Sequence, residues 1–318
     1  MSSAEVLRSL KVVEKTVIAK DITLFVLQDP EGGELPPFRA GAHVSVQVPT
    51  GAMRQYSLCG APADKLSYKI AVKCESEGRG GSLSLVHDVS LGDDLPVGTP
   101  VNLFQLDPKA KKHLFIAGGI GITPIMAMLH ELVAEGVEDF KLIYLVRSRE
   151  EVAFSEMLCS DEFAGKVIVH YSQGGKRYDL WKWLEKPVNS MHVYCCGSLD
   201  LMDSVRDMTG HWPNQNIHFE SFGADTKPHA DDQAFSLKLK RSGKVIEVGA
   251  KQTILDALRK GQIHVPSSCE SGTCGSCKLL YTAGDVDHRD LVLMDDEKQK
   301  YIIVCVSRSK SPCLEIDL

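Results

Sequence analysis

Cys269, Cys274, Cys277 and Cys305 stand in the order C-x4-C-x2-C, followed 28 positions later by a fourth cysteine. This is the plant-type ligand spacing for a 2Fe-2S cluster, bound by four thiolates. The glycines of the loop, Gly272 and Gly275, let backbone amides come close to inorganic sulfide, and such contacts tune the potential. A structural zinc site is the competing reading, but zinc favours two C-x-x-C pairs or a Cys and His mixture, and here one short pair joins lone cysteines. Cys313 also lies near the end, and its place in a terminal strand marks it as a buried thiol rather than a ligand. A 2Fe-2S cluster moves one electron at a time, so the rest of the chain is expected to hold its donor.

Length sets the frame for that donor. At 318 residues the chain exceeds one ordinary core, and three domains suit the placement of its motifs. A charged fraction of 25% and a net charge of -6 leave no basic excess for a phosphate backbone, so nucleic acid is not an expected partner. The weakly polar run from Leu114 to Leu129 holds three glycines and a proline and is shorter than the ~20 residues of a membrane span. No basic segment with an apolar stretch opens the chain, so a cytoplasmic location without membrane contact is expected. Ten cysteines without a secretion signal then argue for thiolate ligands and buried thiols rather than disulfides.

Residues 1–106 alternate apolar and polar positions in short runs, as in Thr23 to Leu27 and His43 to Val48, broken by Gly and Pro. This predicts a small antiparallel β-barrel. From 107 to 225 the rhythm becomes apolar strands followed by helix-length segments: 113–117, 141–146, 167–171, 192–196 and 217–221. That pattern predicts an α/β domain with a doubly wound parallel sheet, its ligands at the C-terminal strand ends. The polar, proline-containing stretch 226–232 reads as a linker. In 233–318, strands 235–240 and 244–248 precede a helix capped by Thr253, with Asp256 three residues on.

Three further motifs carry chemistry. Gly118-Gly119-Ile120-Gly121-Ile122-Thr123-Pro124 follows the first parallel strand. With Thr123 as N-cap and Pro124 opening the helix, its amides could face a pyrophosphate, although the same residues would also make a plain strand-to-helix turn. Arg54-Gln55-Tyr56-Ser57-Leu58, with Gly78-Arg79-Gly80-Gly81-Ser82 downstream, offers an arginine for phosphate, an aromatic ring for stacking and a glycine run for amide donors. Its bland alternative is an exposed strand and a turn. Tyr194-Cys195-Cys196-Gly197-Ser198 ends the fourth parallel strand, with Cys195 expected in the core and Cys196 in the pocket. The 11 histidines look scattered, and none is expected as a ligand.

Together with Phe219-Glu220-Ser221-Phe222-Gly223, these motifs follow one another in an order that resembles the phthalate dioxygenase reductase family, including the vanillate demethylase-type reductases, over nearly the whole chain. The resemblance implies a multidomain flavoprotein: an antiparallel β-barrel binding FMN, an α/β domain binding NADH, and an α+β ferredoxin domain of β-grasp type. It implies flavin contacts at Arg54, Gln55, Tyr56, Ser57, Ala71, Lys73, Gly80, Gly81, Ser82, Thr123 and Phe222. It implies dinucleotide contacts at Gly118, Gly119, Ile120, Gly121, Thr123, Pro124, Arg147, Cys196, Gly197 and Ser198. Ser57, Thr123, Cys196 and Phe222 would position flavin against nicotinamide, and Phe222 would cover the flavin ring until nicotinamide displaces it.

The implied activity is an NADH-dependent oxidoreductase of aromatic hydrocarbon catabolism, feeding electrons to the Rieske centre of an oxygenase. Rieske potentials run from about -150 to +300 mV against about -400 mV for plant-type ferredoxins. A gap of about 250 mV is roughly 6 kcal/mol for one electron, enough to make delivery one-way. Alternatives are a reductase for a diiron or haem monooxygenase, or a redox sensor without turnover. After the second parallel strand, Arg147 and Arg149 would welcome a 2'-phosphate while Glu150 and Glu151 would repel it, and NADH is the expected cofactor. A monomer is expected. From 233 to 318 there are 13 Lys plus Arg against 11 Asp plus Glu, so docking must rest on local patches.

Overall fold

The computed structural model describes residues 6–76, 78, 80–223, 231–267, 270–273 and 275–318. The chain divides into two compact units, residues 4–221 and residues 222–318.

The first unit begins with strands β1 (Arg8–Ala19), β2 (Ile22–Gln28), β3 (Ala42–Gln47), β4 (Met53–Ser57) and β5 (Ser67–Lys73). Helix α1 (Gly81–Asp88) and strands β6 (Asp94–Val97) and β7 (Val101–Asn102) complete it. The strands run in the order β4-β3-β6-β1-β2-β5, with β7 on β3. A bridge between Leu58, just past β4, and Ile70 in β5 closes the sheet on itself. Closure buries the alternating apolar residues: Phe25, Leu27, Val44, Val46, Leu58 and Ile70 have no exposure.

The parallel sheet follows as β8 (Lys112–Gly118), α2 (Ile122–Ala134), β9 (Phe140–Val146), α3 (Ser155–Leu158), β10 (Val167–Tyr171), α4 (Trp181–Leu184), β11 (Met191–Cys196), α5 (Leu199–Thr209) and β12 (Ile217–Glu220). Its order, β10-β9-β8-β11-β12, reverses direction at β8 and β11, which is where an open α/β sheet leaves a crevice at its carboxyl edge.

The barrel and the parallel sheet were expected as separate domains, yet one apolar core runs through both. Phe25, Val44 and Phe104 belong to the same buried cluster as Phe115, Met128, Leu129 and Tyr194. Polar groups seal the seam. Glu131 of α2, 8% exposed, accepts from Arg39 Nε (3.1 Å) and Nη2 (2.8 Å), and its second oxygen accepts from the Ala40 amide (2.8 Å). Arg39 is mostly exposed and would find water if the pair were broken, so the buried Ala40 amide decides the energetics. We expect Glu131→Ala to cost about 2 kcal/mol, the cost of one orphaned buried donor plus a partly screened pair, and Glu131→Gln to cost less because it keeps an acceptor. Urea unfolding curves check both.

The histidines are less scattered than the sequence suggests. His113, His192 and His218 share one face of β8, β11 and β12, with the His192 and His218 rings hydrogen-bonded (Nδ1 to Nε2, 2.9 Å) and His218 stacked on Tyr194 at 4.5 Å. Burial lowers the pKa of all three, His113 to about 4, so they pack as neutral rings.

The second unit holds β13 (Phe235–Leu239), β14 (Val245–Val248), α6 (Ile254–Lys260), β15 (Lys278–Ala283), β16 (Val286–Asp287), β17 (Tyr301–Ile303), β18 (Arg308–Ser309) and β19 (Cys313–Ile316). The main sheet, ordered β14-β13-β19-β15-β17, sets α6 against a core of Leu237, Ile254, Leu258, Ile302 and Leu314. Thr253 caps α6 as expected, its Oγ1 accepting from the Asp256 amide at 3.0 Å. Most of the expected linker, 226–230, lies outside the described residues, and at its end Arg289 grips Asp232 with both terminal nitrogens.

Candidate functional site

The carboxyl edge of the parallel sheet brings two strand-to-helix turns together. β8 ends at Gly118 and a single 3-10 turn, Gly119–Gly121, leads into α2, while β11 ends at Cys196 and Gly197-Ser198 lead into α5. The turns touch backbone to backbone. A Cβ on Gly121 would lie 2.2 Å from the Cys196 carbonyl oxygen, and one on Gly197 would lie 3.1 Å from Gly118 Cα. The starts of two long helices therefore open side by side, and their amides and dipoles favour a pyrophosphate. Ser198 caps α5, its Oγ accepting from the Leu201 amide at 3.4 Å.

The expected role of Thr123 as N-cap needs correction. The 3-10 turn carries the chain into the helix two residues earlier, so Gly121 is the cap residue and Thr123 already lies inside α2. Its hydroxyl donates back to the Ile120 carbonyl at 3.0 Å, and Pro124 sits two residues further in than expected. Arg147 stands exposed just past β9, on the same edge.

Facing this edge in the same unit is the end of β4. Ser57 is buried there, and its hydroxyl hydrogen-bonds to the carboxyl of Glu220, the last residue of β12. Glu220 Oε2 is out of reach of water and has no partner among the described residues. Burial pushes the Glu220 pKa up to about 8, and Ser57 pulls only weakly against it. Cys196 and Cys195 are both fully buried. Burial, then the neighbouring Glu220, raise the Cys196 thiol well above its usual range, so it is a protonated neighbour of the carboxyl group rather than a nucleophile.

Glu220 sits inside a motif legible in the sequence, but nothing local gave it a role. An acid at the last position of a parallel strand, on the ligand edge, was the available signal. The sign of its pH dependence follows from the raised pKa. The folded protein holds the proton that the unfolded chain releases near 4.5, so this stability is full below pH 4.5 and is lost as pH rises to about 8. We expect Glu220→Gln to raise the melting temperature relative to the parent by a margin that grows from pH 5 to about 8 and then levels. A margin that stays constant across that range would show that Glu220 is ionised throughout.

On the barrel, Gly80 has φ +78 and caps α1, and a Cβ on Gly81 would lie 2.7 Å from Arg54 Nε. The arginine thus lies against a glycine-built helix start, a combination that fits a phosphate monoester. Ser82 Oγ accepts from the Glu75 amide (3.1 Å), and Lys73 pairs with Glu75 (2.9 Å). The half-buried Tyr56, its pKa pushed up to about 12 by burial, follows Gln55 along β4, and Ala71 is buried in β5. Arg79 lies outside the described residues. Arg54, the start of α1, Tyr56 and the unpartnered Glu220 oxygen together fit FMN.

In the second unit, Cys277 precedes β15 and Cys305 follows β17, and pairing of Lys278 with Ile303 draws them together. Both are buried, at 2% and 1% exposure, and the Val304 amide donates to the Cys277 carbonyl at 3.4 Å. Cys269 and Cys274 lie outside the described residues. The loop between them turns at Gly272 (φ +75), whose carbonyl accepts from the Leu291 amide at 3.0 Å. Two buried thiols at the foot of a glycine-turned loop fit a cluster. Cys313, expected to be buried, is exposed at the start of β19, the central strand of the sheet. Phe222 is 45% exposed and opens the second unit.

Comparison with known proteins agrees with this geometry. Residues 237–310 match the family of the 2Fe-2S iron-sulfur cluster binding domain. The chain is 50% identical over 311 residues to the phthalate dioxygenase reductase of Burkholderia cepacia, covering 97% of each. It is 38% identical to a vanillate O-demethylase oxidoreductase of a Pseudomonas species, over 95% of this chain and 97% of the other. A solved structure of phthalate dioxygenase reductase, described as modular for electron transfer from pyridine nucleotides to [2Fe-2S], superposes with a TM-score of 0.87 at 50% identity over 98% of both chains.

Proposed function

The chain belongs to the phthalate dioxygenase reductase family, and on that ground we propose that it takes electrons from NADH and delivers them singly to a Rieske-type oxygenase, with FMN and a 2Fe-2S cluster as resident groups. The observation that carries this reading is the meeting of the two glycine turns at the sheet edge with Ser57 and Glu220 in one unit. FMN would supply the exchange between two-electron and one-electron chemistry, and the cluster a one-electron exit.

The chain's own residues supply position. The starts of α2 and α5, with Gly118 to Gly121, Gly197 and Ser198, take the pyrophosphate, and Arg147 the outer phosphate or ribose. Arg54 and Gly80 to Ser82 take the FMN phosphate, while Gln55, Tyr56, Ala71 and Lys73 line its body. Ser57, Thr123 and Cys196 set the nicotinamide against the flavin, and Glu220 holds a proton beside Ser57. Cys269, Cys274, Cys277 and Cys305 hold the cluster. In this reading residues 1–106 form the FMN domain, 107–225 the NAD domain, 226–232 the linker and 233–318 the ferredoxin domain. Among the described residues no helix is long and apolar enough to cross a membrane.

The Glu150 carboxylate, held below its usual pKa by the Ser148 hydroxyl, lies just past β9 in the 3-10 turn Arg149–Glu151 and would repel a 2'-phosphate. We expect kcat/KM for NADH to exceed that for NADPH by at least about tenfold, the worth of ~1.4 kcal/mol of repulsion. Equal efficiencies in a steady-state assay would reject that preference. The whole reading is tested by visible and EPR spectra of the purified protein with flavin and metal analysis, and by turnover with the oxygenase of phthalate dioxygenase against a haem monooxygenase. Absence of flavin, or zinc in place of iron and sulfide, would overturn it.

A further inference from the structure

The amino edge of the parallel sheet, opposite the edge with the glycine turns, carries a cleft of its own. The first residues of β8, β9 and β11 line it, and α4 with the residues just after it supplies most of the rest. Its volume is about 500 Å³, within the range of small-molecule sites. A strand advances about 3.3 Å per residue, so the length of β8 sets this cleft about 20 Å from the pyrophosphate turns. Its charge runs against that of the chain. On a protein of net charge -6, four lysines line the cleft against the carboxylates of Asp139 and Glu185. Lys112 pairs with Asp139 at 3.1 Å and Lys141 donates to the Gly165 carbonyl, whereas Lys182 and Lys186 have no carboxylate partner among the described residues. Trp183 gathers the cations: Lys141 and Lys182 Nζ each lie 5.9 Å from the centre of its ring, and its indole N–H donates to the Tyr178 hydroxyl at 3.2 Å. His113 also lines the cleft. It is 5% exposed, and its Nδ1 has no hydrogen-bond partner among the described residues. Buried ring nitrogens are ordinarily satisfied, so this one marks a place for an incoming oxygen.

We propose that this cleft binds an aromatic carboxylate, with its ring against Trp183 and its charge on Lys182 and Lys186, at a site separate from the glycine-turn edge. Carboxylate is favoured over phosphate by the make-up of the lining. Among the described residues it has no glycine, no arginine and no start of a long helix, the features that build the phosphate-holding turns of this chain. The ring matters because an exposed ammonium holds a lone carboxylate only weakly in water, whereas contact with an indole adds affinity that depends on placement.

Saturation-transfer NMR on the full-length protein, with and without saturating NAD+, tests this. We expect saturable binding of benzene-1,3-dicarboxylate that NAD+ does not displace. Cyclohexane-1,3-dicarboxylate keeps the charges and loses the aromatic ring, and it should bind about fivefold more weakly. Lys186→Glu, a change at an exposed side chain, should weaken binding of the aromatic probe at least about tenfold with no change in melting temperature. Trp183→Leu should weaken it by about as much as removing the ring from the ligand does, and if that variant does not fold, Lys186→Glu decides alone. Absence of saturable binding, an affinity that Lys186→Glu leaves unchanged, or displacement of the probe by NAD+, by AMP or by inorganic phosphate at equal concentration would each overturn the proposal. The titration needs neither flavin nor cluster, so a protein lacking both would refute the function proposed above and leave this test intact.

Discussion

Replacing Cys305 by serine is expected to abolish electron delivery beyond the flavin, with NADH-driven reduction of an oxygenase falling by about 10³-fold or more while NADH-driven ferricyanide reduction persists. A hydroxyl stays protonated where a thiol becomes a thiolate, so one of the four ligands is lost. The site also leaves no slack, since Cys305 is 1% exposed within the core that contains Val304, Val306 and Leu314. The cluster ties the loop to that core, so its loss should lower the melting temperature of the second unit as well. Cys313→Ser is the matched control. That thiol is exposed, and the change should stay within about 0.5 kcal/mol of the parent and retain full iron content. Iron and sulfide analysis with both assays distinguishes the outcomes; an iron-replete Cys305→Ser would remove this residue from the ligand set.

Gly121→Ala separates the two halves of the relay from the other side. The added carbon would sit 2.2 Å from the Cys196 carbonyl oxygen and 2.5 Å from its carbon, and neither is a flexible side chain that could swing away. The backbone must give by close to 1 Å, which moves the starts of α2 and α5 apart. A displacement of that size costs about 10² in rate where binding depends on placement, so kcat/KM for NADH should fall about 100-fold. Gly119→Ala is the comparison. Nothing lies within 4 Å of its Cβ position and only its φ of +51 resists substitution, so it should lose stability by about 1 kcal/mol and activity by less than tenfold. Stopped-flow flavin reduction at varied NADH measures both, and equal losses in the two variants would mean that the turn is not sensitive to close approach.

Much of this molecule was legible in the residue order because its signals are local. Alternation in 8–102 encodes strands that bury one face, and apolar runs separated by helix-length segments encode a parallel sheet. What misled were junctions. Thr123-Pro124 has the composition of a helix start, but the glycines before it can themselves turn tightly, so the helix begins two residues earlier. Cys313 looks like a core thiol by its place in a terminal strand, but as the first residue of β19 it falls on the exposed phase of the strand. The seam between barrel and sheet was illegible for a different reason: Arg39 and Glu131 are 92 positions apart, and no local pattern records that they meet.

The order of residues alone supplied the proposed ligand set and the chemistry it would permit. Three thiols within nine positions, a fourth at a characteristic spacing, and glycines at the end of a strand are features that can be read along the chain without knowing the fold. Only the tertiary structure decided which groups work together. Ser57 and Glu220 come from opposite ends of the first unit, and Arg259 of α6 meets Ser267 and Glu270 from a separate helix. Their partnership follows from how the barrel closes against the sheet and how α6 seats in the ferredoxin core, and burial, which raises Glu220 and holds Glu270, exists only once those surfaces have met.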